Sequence, residues 1–164
     1  MFNGLFIERT AIFSSDHKYR YQLSRRWGNG DSLYFVMLNP STANENVNDP
    51  TIRRCTGFAK TWNYDGIEVL NLFALVSSDP DKLLTESNSV GIDNDKYLIT
   101  TSKQAKKIIV AWGNFGLRFS QRVSEVLNIY KERDIYCLGE TGQNQPRHPL
   151  YVPKYQTLNI YSQR

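Results

Sequence analysis

Four apolar runs, at residues 33–38, 67–75, 107–112 and 135–138, are separated by segments carrying helix signals. That alternation constrains the fold more than any other feature of the chain. The first run, Leu33-Tyr34-Phe35-Val36-Met37-Leu38, is apolar at successive positions rather than at every second one. Such a strand must be covered on both faces, which is the usual condition of a strand inside a parallel sheet. Between the first two runs stands Asp49-Pro50, an N-cap residue followed by a proline suited to the first helical position. The spacing predicts a helix from there to about Trp62, a second from about Asp93 to Ala105, and a third from Gly113-Asn114 to about Tyr130.

Strands alternating with helices imply right-handed crossovers and a parallel sheet. The expected fold is therefore α/β: a three-layer α/β/α arrangement around a central four-stranded, mainly parallel sheet. Upstream, β-prone runs at 7–13 and 19–23 flank the polar cluster Ser14-Ser15-Asp16-His17-Lys18. They predict an N-terminal β-hairpin over about residues 5–26, added in front of the sheet. The chain has 164 residues, 40% of them hydrophobic, enough for one domain with a real core and no staples.

Two cysteines, Cys55 and Cys137, and two histidines lack metal-ligand spacing, so neither a metal site nor another cofactor is expected. The first residues carry no basic segment followed by a long apolar one, and no run is long enough to cross a bilayer. The expectation is a cytoplasmic protein without membrane attachment. There is no P-loop, G-x-S-x-G elbow or G-x-G-x-x-G fingerprint. The formal charge of +4 suits a polyanionic partner without demonstrating one.

Two of the apolar runs carry an asparagine at or near their ends, in Leu38-Asn39-Pro40-Ser41 and in Val69-Leu70-Asn71-Leu72, and a third motif is Arg147-His148-Pro149-Leu150. Residues just past the carboxyl ends of parallel strands line the crevice where α/β proteins hold ligands. Asn71 offers a donor and an acceptor together, as the edge of a pyrimidine requires. It could equally bond neighbouring backbone at a strand end. His148 can donate to an oxygen on which negative charge develops, or simply satisfy backbone in a Pro-rich loop. Asn39 can orient a water molecule but cannot take its proton, and Asn-Pro is also a common turn. Ser41 and Pro40 belong to the same loop. Arg53 and Arg54 on the first helix could hold phosphate or form surface ion pairs. The loop of Arg147, Leu150, Tyr151 and Lys154 joins basic residues to an apolar tip, a combination suited to nucleic acid; Leu150 could also pack against the sheet.

The order of these motifs resembles that of the uracil-DNA glycosylase superfamily. There an Asp- or Asn-Pro motif follows the first core strand, a strand ends in a base-reading Asn, another ends in Trp-Gly, and a His-Pro loop follows the last. The matching segments are Met37-Leu38-Asn39-Pro40-Ser41, Gly66-Ile67-Glu68-Val69-Leu70-Asn71, Ile109-Val110-Ala111-Trp112-Gly113 and His148-Pro149-Leu150. The chain also closely resembles an uncharacterised bacterial and phage family of unknown function with the patterns MLNPSTA, DPTIRRC, NLFA, AWG and RHPLYVP. The first resemblance implies a metal-independent protein that recognises a base in DNA or a nucleotide. It implies catalytic roles for Asn39 and His148, and base contacts from Asn71, Pro40 and Ser41. Nucleic-acid contacts would come from Arg53, Arg54, Arg147, Leu150, Tyr151 and Lys154. No second Ser-Pro follows the His-Pro motif, and no Tyr-His follows Asn39-Pro40. Two other expectations therefore stand beside an N-glycosylase: a binding module without turnover, and a hydrolase of free nucleosides or nucleotides.

Overall fold

A computed structural model describes residues 7–161; Leu5 and Phe6, the start of the expected hairpin, lie outside them. The chain forms a mixed α/β structure with a seven-stranded sheet and four α-helices among the described residues. In chain order the elements begin with β1 (Glu8–Phe13), β2 (Arg20–Arg26), β3 (Ser32–Met37), α1 (Pro50–Thr61) and β4 (Gly66–Asn71). They continue with α2 (Lys82–Thr85), α3 (Asn94–Gln104), β5 (Ile108–Val110), α4 (Ser120–Ile129), β6 (Ile135–Cys137) and β7 (Asn159–Ile160). Short 3-10 turns occupy Asn114–Phe119 and Pro149–Tyr151.

The spatial order is β1-β2-β4-β3-β5-β6-β7. Pairing is parallel from β4 through β3 and β5 to β6, and antiparallel for β1 with β2, β2 with β4, and β6 with β7. The expected four-stranded sheet is corrected accordingly. The hairpin is not an appendage, because β2 runs between β1 and β4 and its Leu23 and Arg25 are fully buried. The two-residue β7 closes the far edge, and nothing so short leaves a periodic signature in sequence.

Side-chain alternation sorts each strand between two layers. Leu33, Phe35 and Met37 of β3, with Ile67 and Val69 of β4, pack against Ile52, Cys55, Phe58 and Ala59 of α1. Val36, Leu70, Ile108 and Val110 face the other way, onto Leu98 of α3 and Val126 of α4. Helix α1 starts where the sequence predicts: the Asp49 carboxylate accepts from Ile52 N at 2.9 Å, and Pro50 takes the first turn. Expected helix 113–130 is instead a 3-10 turn followed by α4, and α2 carries no signal strong enough to announce it.

Register sets the site. Met37 lies opposite Asn71, so β3 and β4 end level with each other. The ladder continues past both strands, with Leu72 N donating to Met37 O and Phe73 N to Leu38 O. Beyond β5, Gly113 adopts φ 72°, a left-handed conformation that glycine accepts without steric cost. Its N–H donates to Pro146 O at 2.8 Å, tying the end of β5 to the His148 loop.

Candidate functional site

The level strand ends open onto a cavity of about 610 Å³. Asn39, Pro40 and Ser41 from the β3 loop, Asn71 from β4, and Arg147, His148 and Tyr151 from the last loop all line it. Seven of the eleven residues expected to form a site are therefore brought together from three separate parts of the chain.

The two asparagines meet different fates. Asn39 Nδ2 donates to Ser77 O at 2.9 Å and to Pro40 O and Leu75 O at 3.2 Å each. Its amide nitrogen thus laces the β3 loop to the β4 loop, assisted by Ser77 N donating to Pro40 O and by a 3.1 Å contact between the Ser41 and Ser78 hydroxyls. Only its Oδ1 remains for other work. Asn71 is 2% exposed, and its Nδ2 is buried without a partner. Its backbone carbonyl accepts from Asn94 Nδ2 at 3.0 Å, which holds the strand end while leaving the side-chain amide free.

His148 caps the 3-10 turn: its Nδ1 accepts from Leu150 N at 3.2 Å. An accepting Nδ1 leaves the proton of the neutral ring on Nε2. Burial holds the pKa below its ordinary value of 6.5, opposed by the charge of Asp49. His148 is thereby set up as a neutral Nε2–H donor. Arg147 is fastened by its own N–H to Gly139 O at 3.0 Å and by Nε to Glu140 O at 3.1 Å. Tyr151, 78% exposed, lies with its ring centroid 5.6 Å from that of His148.

The other four expected residues, Arg53, Arg54, Leu150 and Lys154, line a separate cavity of about 490 Å³ between α1 and the last loop. There Arg53 donates to Asn48 O at 3.0 Å, and Arg54 to Val152 O at 2.9 Å. These arginines hold α1 to neighbouring loops while bordering a basic surface.

Sequence reasoning missed several residues of the first cavity. Asp49, read as a cap, also lines it and is the one carboxylate among its described lining residues. Trp112 closes one wall and donates from Nε1 to Gln145 Oε1 at 3.2 Å. Phe115, 41% exposed, supplies a ring at the same wall. Its only sequence signal is its place just after Trp112-Gly113-Asn114. Arg20 comes from β2, a strand that the motif order does not touch. No group of three or more His, Cys, Asp or Glu suited to holding a metal occurs among the described residues, and no helix there is long and apolar enough to cross a membrane.

A mixed α/β sheet with a cavity at the carboxyl ends of adjacent parallel strands defines the class of protein. Within it, the chain belongs to the family described as "Protein of unknown function (DUF1643)", whose model matches residues 20–150. No curated protein and no solved structure matches the chain.

Proposed function

We propose that the cavity recognises a nucleobase, in DNA or in a nucleotide, and that the protein is a metal-independent, glycosylase-like hydrolase of the N-glycosidic bond. The observation that carries this reading is the convergence of Asn39, Asn71 and His148 on one cavity, with the Asn71 amide left unpaired there. The resemblance of the motif order to the uracil-DNA glycosylase superfamily supports it.

Cleavage of the bond builds positive charge on the sugar and negative charge on the departing base. Asn71 reads the base edge. The bonding electrons pass to the base, where the Nε2–H of neutral His148 stabilises the developing negative oxygen. Water adds to the sugar carbon, oriented by Asn39 Oδ1, and its proton goes to Asp49. Asp49 performs what an amide at position 39 cannot, since an amide does not accept a proton near neutral pH. Phe115 or Tyr151 offers a ring face for stacking.

The test is base release from single- and double-stranded oligonucleotides and from free nucleosides and nucleotides, read by strand scission and mass spectrometry. Release of one base, lost in His148→Ala and Asn71→Ala, is expected. Release that persists unchanged in both variants would sink the mechanism. The engagement of Asn39 Nδ2 with three backbone carbonyls favours a second reading, a binding module without turnover. Saturable binding of a nucleotide with no base release would select it.

A further inference from the structure

Arg20 is 3% exposed and lines the same cavity. It reaches this place through an irregularity in the hairpin: Ile12 pairs with Gln22 but Phe13 with Arg20, so Tyr21 is the extra residue of a bulge. A bulge re-aims side chains. Tyr21 stacks on Tyr97 of α3, its centroid 5.3 Å away, whereas Arg20 Nη1 donates to Ala43 O at 2.9 Å on the α1 side.

The rest of the guanidinium is unspent. Nε is buried without a partner, and Arg20 makes no ion pair among the described residues. Asp49 is the acidic group whose charge acts on it. Arg25, five residues along the same strand, shows what a structural arginine looks like here. It donates to Asn48 Oδ1, Ser24 O, Asn44 O and Val47 O. Arg20 Nε and Asn71 Nδ2 are the only side-chain nitrogens buried without a partner among the described residues, and both line this cavity. Burial brings the Arg20 pKa down to about 10, which leaves it charged at neutral pH. A desolvated, unpaired cation is costly, and an anionic oxygen group removes that cost best because it matches the guanidinium fork.

We propose that Arg20 is the anion-recognising residue of the cavity and that the ligand is a free nucleotide whose phosphate it takes. The nucleotide half rests on the base-reading role given above to Asn71. A free mononucleotide, rather than duplex DNA, fits the position: this cation is buried in the residues lining the cavity, whereas three of the four basic residues suited to a polymer, Arg53, Arg54 and Lys154, border the other cavity.

The test follows the Arg20 Nε–H resonance by NMR in the wild-type chain during titration with inorganic phosphate, uridine and uridine 5′-monophosphate. Phosphate should shift that resonance saturably. The monophosphate should bind roughly ten- to a hundredfold tighter than the nucleoside, as a charge-assisted, buried hydrogen bond provides. Arg20→Gln should erase that difference, and Arg20→Lys should restore part of it. Phosphate binding at Arg20 without any base dependence would keep the anion site and remove the base-reading role. A preference for one base that ignores Arg20→Gln would do the reverse. An Arg20 resonance silent to both phosphate and the monophosphate overturns the proposal without recourse to a variant, so a poorly folded Arg20→Gln protein cannot rescue it. Tighter binding of an oligonucleotide than of the monophosphate would overturn the assignment to a free nucleotide.

Discussion

Glu68, a β4 residue that does not line the cavity, should make the stability of this fold fall as pH rises through neutrality. Its Oε2 is buried without a partner, and burial pushes the carboxyl from its ordinary 4.5 up to about 7, offset in part by Ser24, Arg26 and Gln22. In the unfolded chain the proton leaves near the ordinary value. Between the two values the folded state keeps a proton that the unfolded state has lost. Stability from this group is thus complete below the lower value and is lost as pH climbs through the upper one. The separation between 4.5 and about 7 corresponds to about 3 kcal/mol across the whole window. Most of that lies between about pH 5 and about pH 8. Glu68→Gln keeps the shape and removes the titration. Urea unfolding of both proteins at these two pH values isolates the effect, because His148 and every other group cancel in the difference of differences. The wild-type chain should lose about 2–3 kcal/mol more than the variant, with equal m-values. Parallel pH dependences would refute the reasoning and place Glu68 in contact with water or with an unseen donor.

The cavity itself supplies four further expected outcomes. Because burial lowers the His148 pKa, its neutral form persists below the ordinary value of 6.5, so base release that needs a neutral Nε2–H should hold level from about pH 8 down through that value, and His148→Ala should slow it by about 10²–10³-fold in a single-turnover assay. Asp49→Asn preserves an oxygen for the Ile52 N–H and so the helix cap, but should cut base release by about 10²–10⁴-fold, whereas Asp49→Ala should also cost about 1 kcal/mol in denaturant unfolding. Gly113→Ala forces an L side chain into φ 72° and should destabilise the chain by about 1–2 kcal/mol in the same measurement. Asn71→Leu should leave stability unchanged or raise it while abolishing ligand binding by calorimetry, whereas Asn39→Leu should cost about 1–3 kcal/mol, because the Leu75 and Ser77 carbonyls lose the Asn39 donor and Pro40 O keeps only Ser77 N.

The fold was legible where hydrophobic patterning and caps agree. Asp49-Pro50 announces α1, and its buried residues Ile52, Cys55, Phe58 and Ala59 recur at helical spacing. Helix α3 lies between Asp93 and Ala105, the residues that bracket it in the sequence reading. Pairing is the part that the pattern hides. Whether the N-terminal hairpin stands apart or joins the sheet depends on an antiparallel contact of Leu23 with Val69 and of Arg25 with Ile67, distant in sequence and without a local signal. Arg25 illustrates the difficulty. An arginine reads as surface, yet here it is fully buried because the loop after β3 surrounds its head with carbonyls. Arg20 was hidden for the same reason, with the added turn of a bulge.

The site shows more sharply what sequence can and cannot say. Asn39 and Asn71 carry the same signature, an asparagine at the end of an apolar run, and the register of Met37 with Asn71 brings their strand ends level. Nothing in either motif distinguishes them. The difference arises from the surroundings that the rest of the chain gives each strand end. The β4 loop returns Leu75 and Ser77 to the Asn39 amide, so that side chain is consumed in joining two loops. At Asn71 the neighbouring Asn94 bonds the backbone carbonyl and not the side chain, so the amide stays unpaired. Arg25 shows that this fold can surround a buried guanidinium with acceptors. Asn71 Nδ2 and Arg20 Nε, both buried without a partner in residues that line one cavity, carry a cost of about 1–3 kcal/mol for an uncharged donor and more for a charged one. An occupant whose oxygens reached both would remove that cost. The phosphate of the proposed nucleotide meets that condition at Arg20, and this support does not depend on any resemblance between motifs.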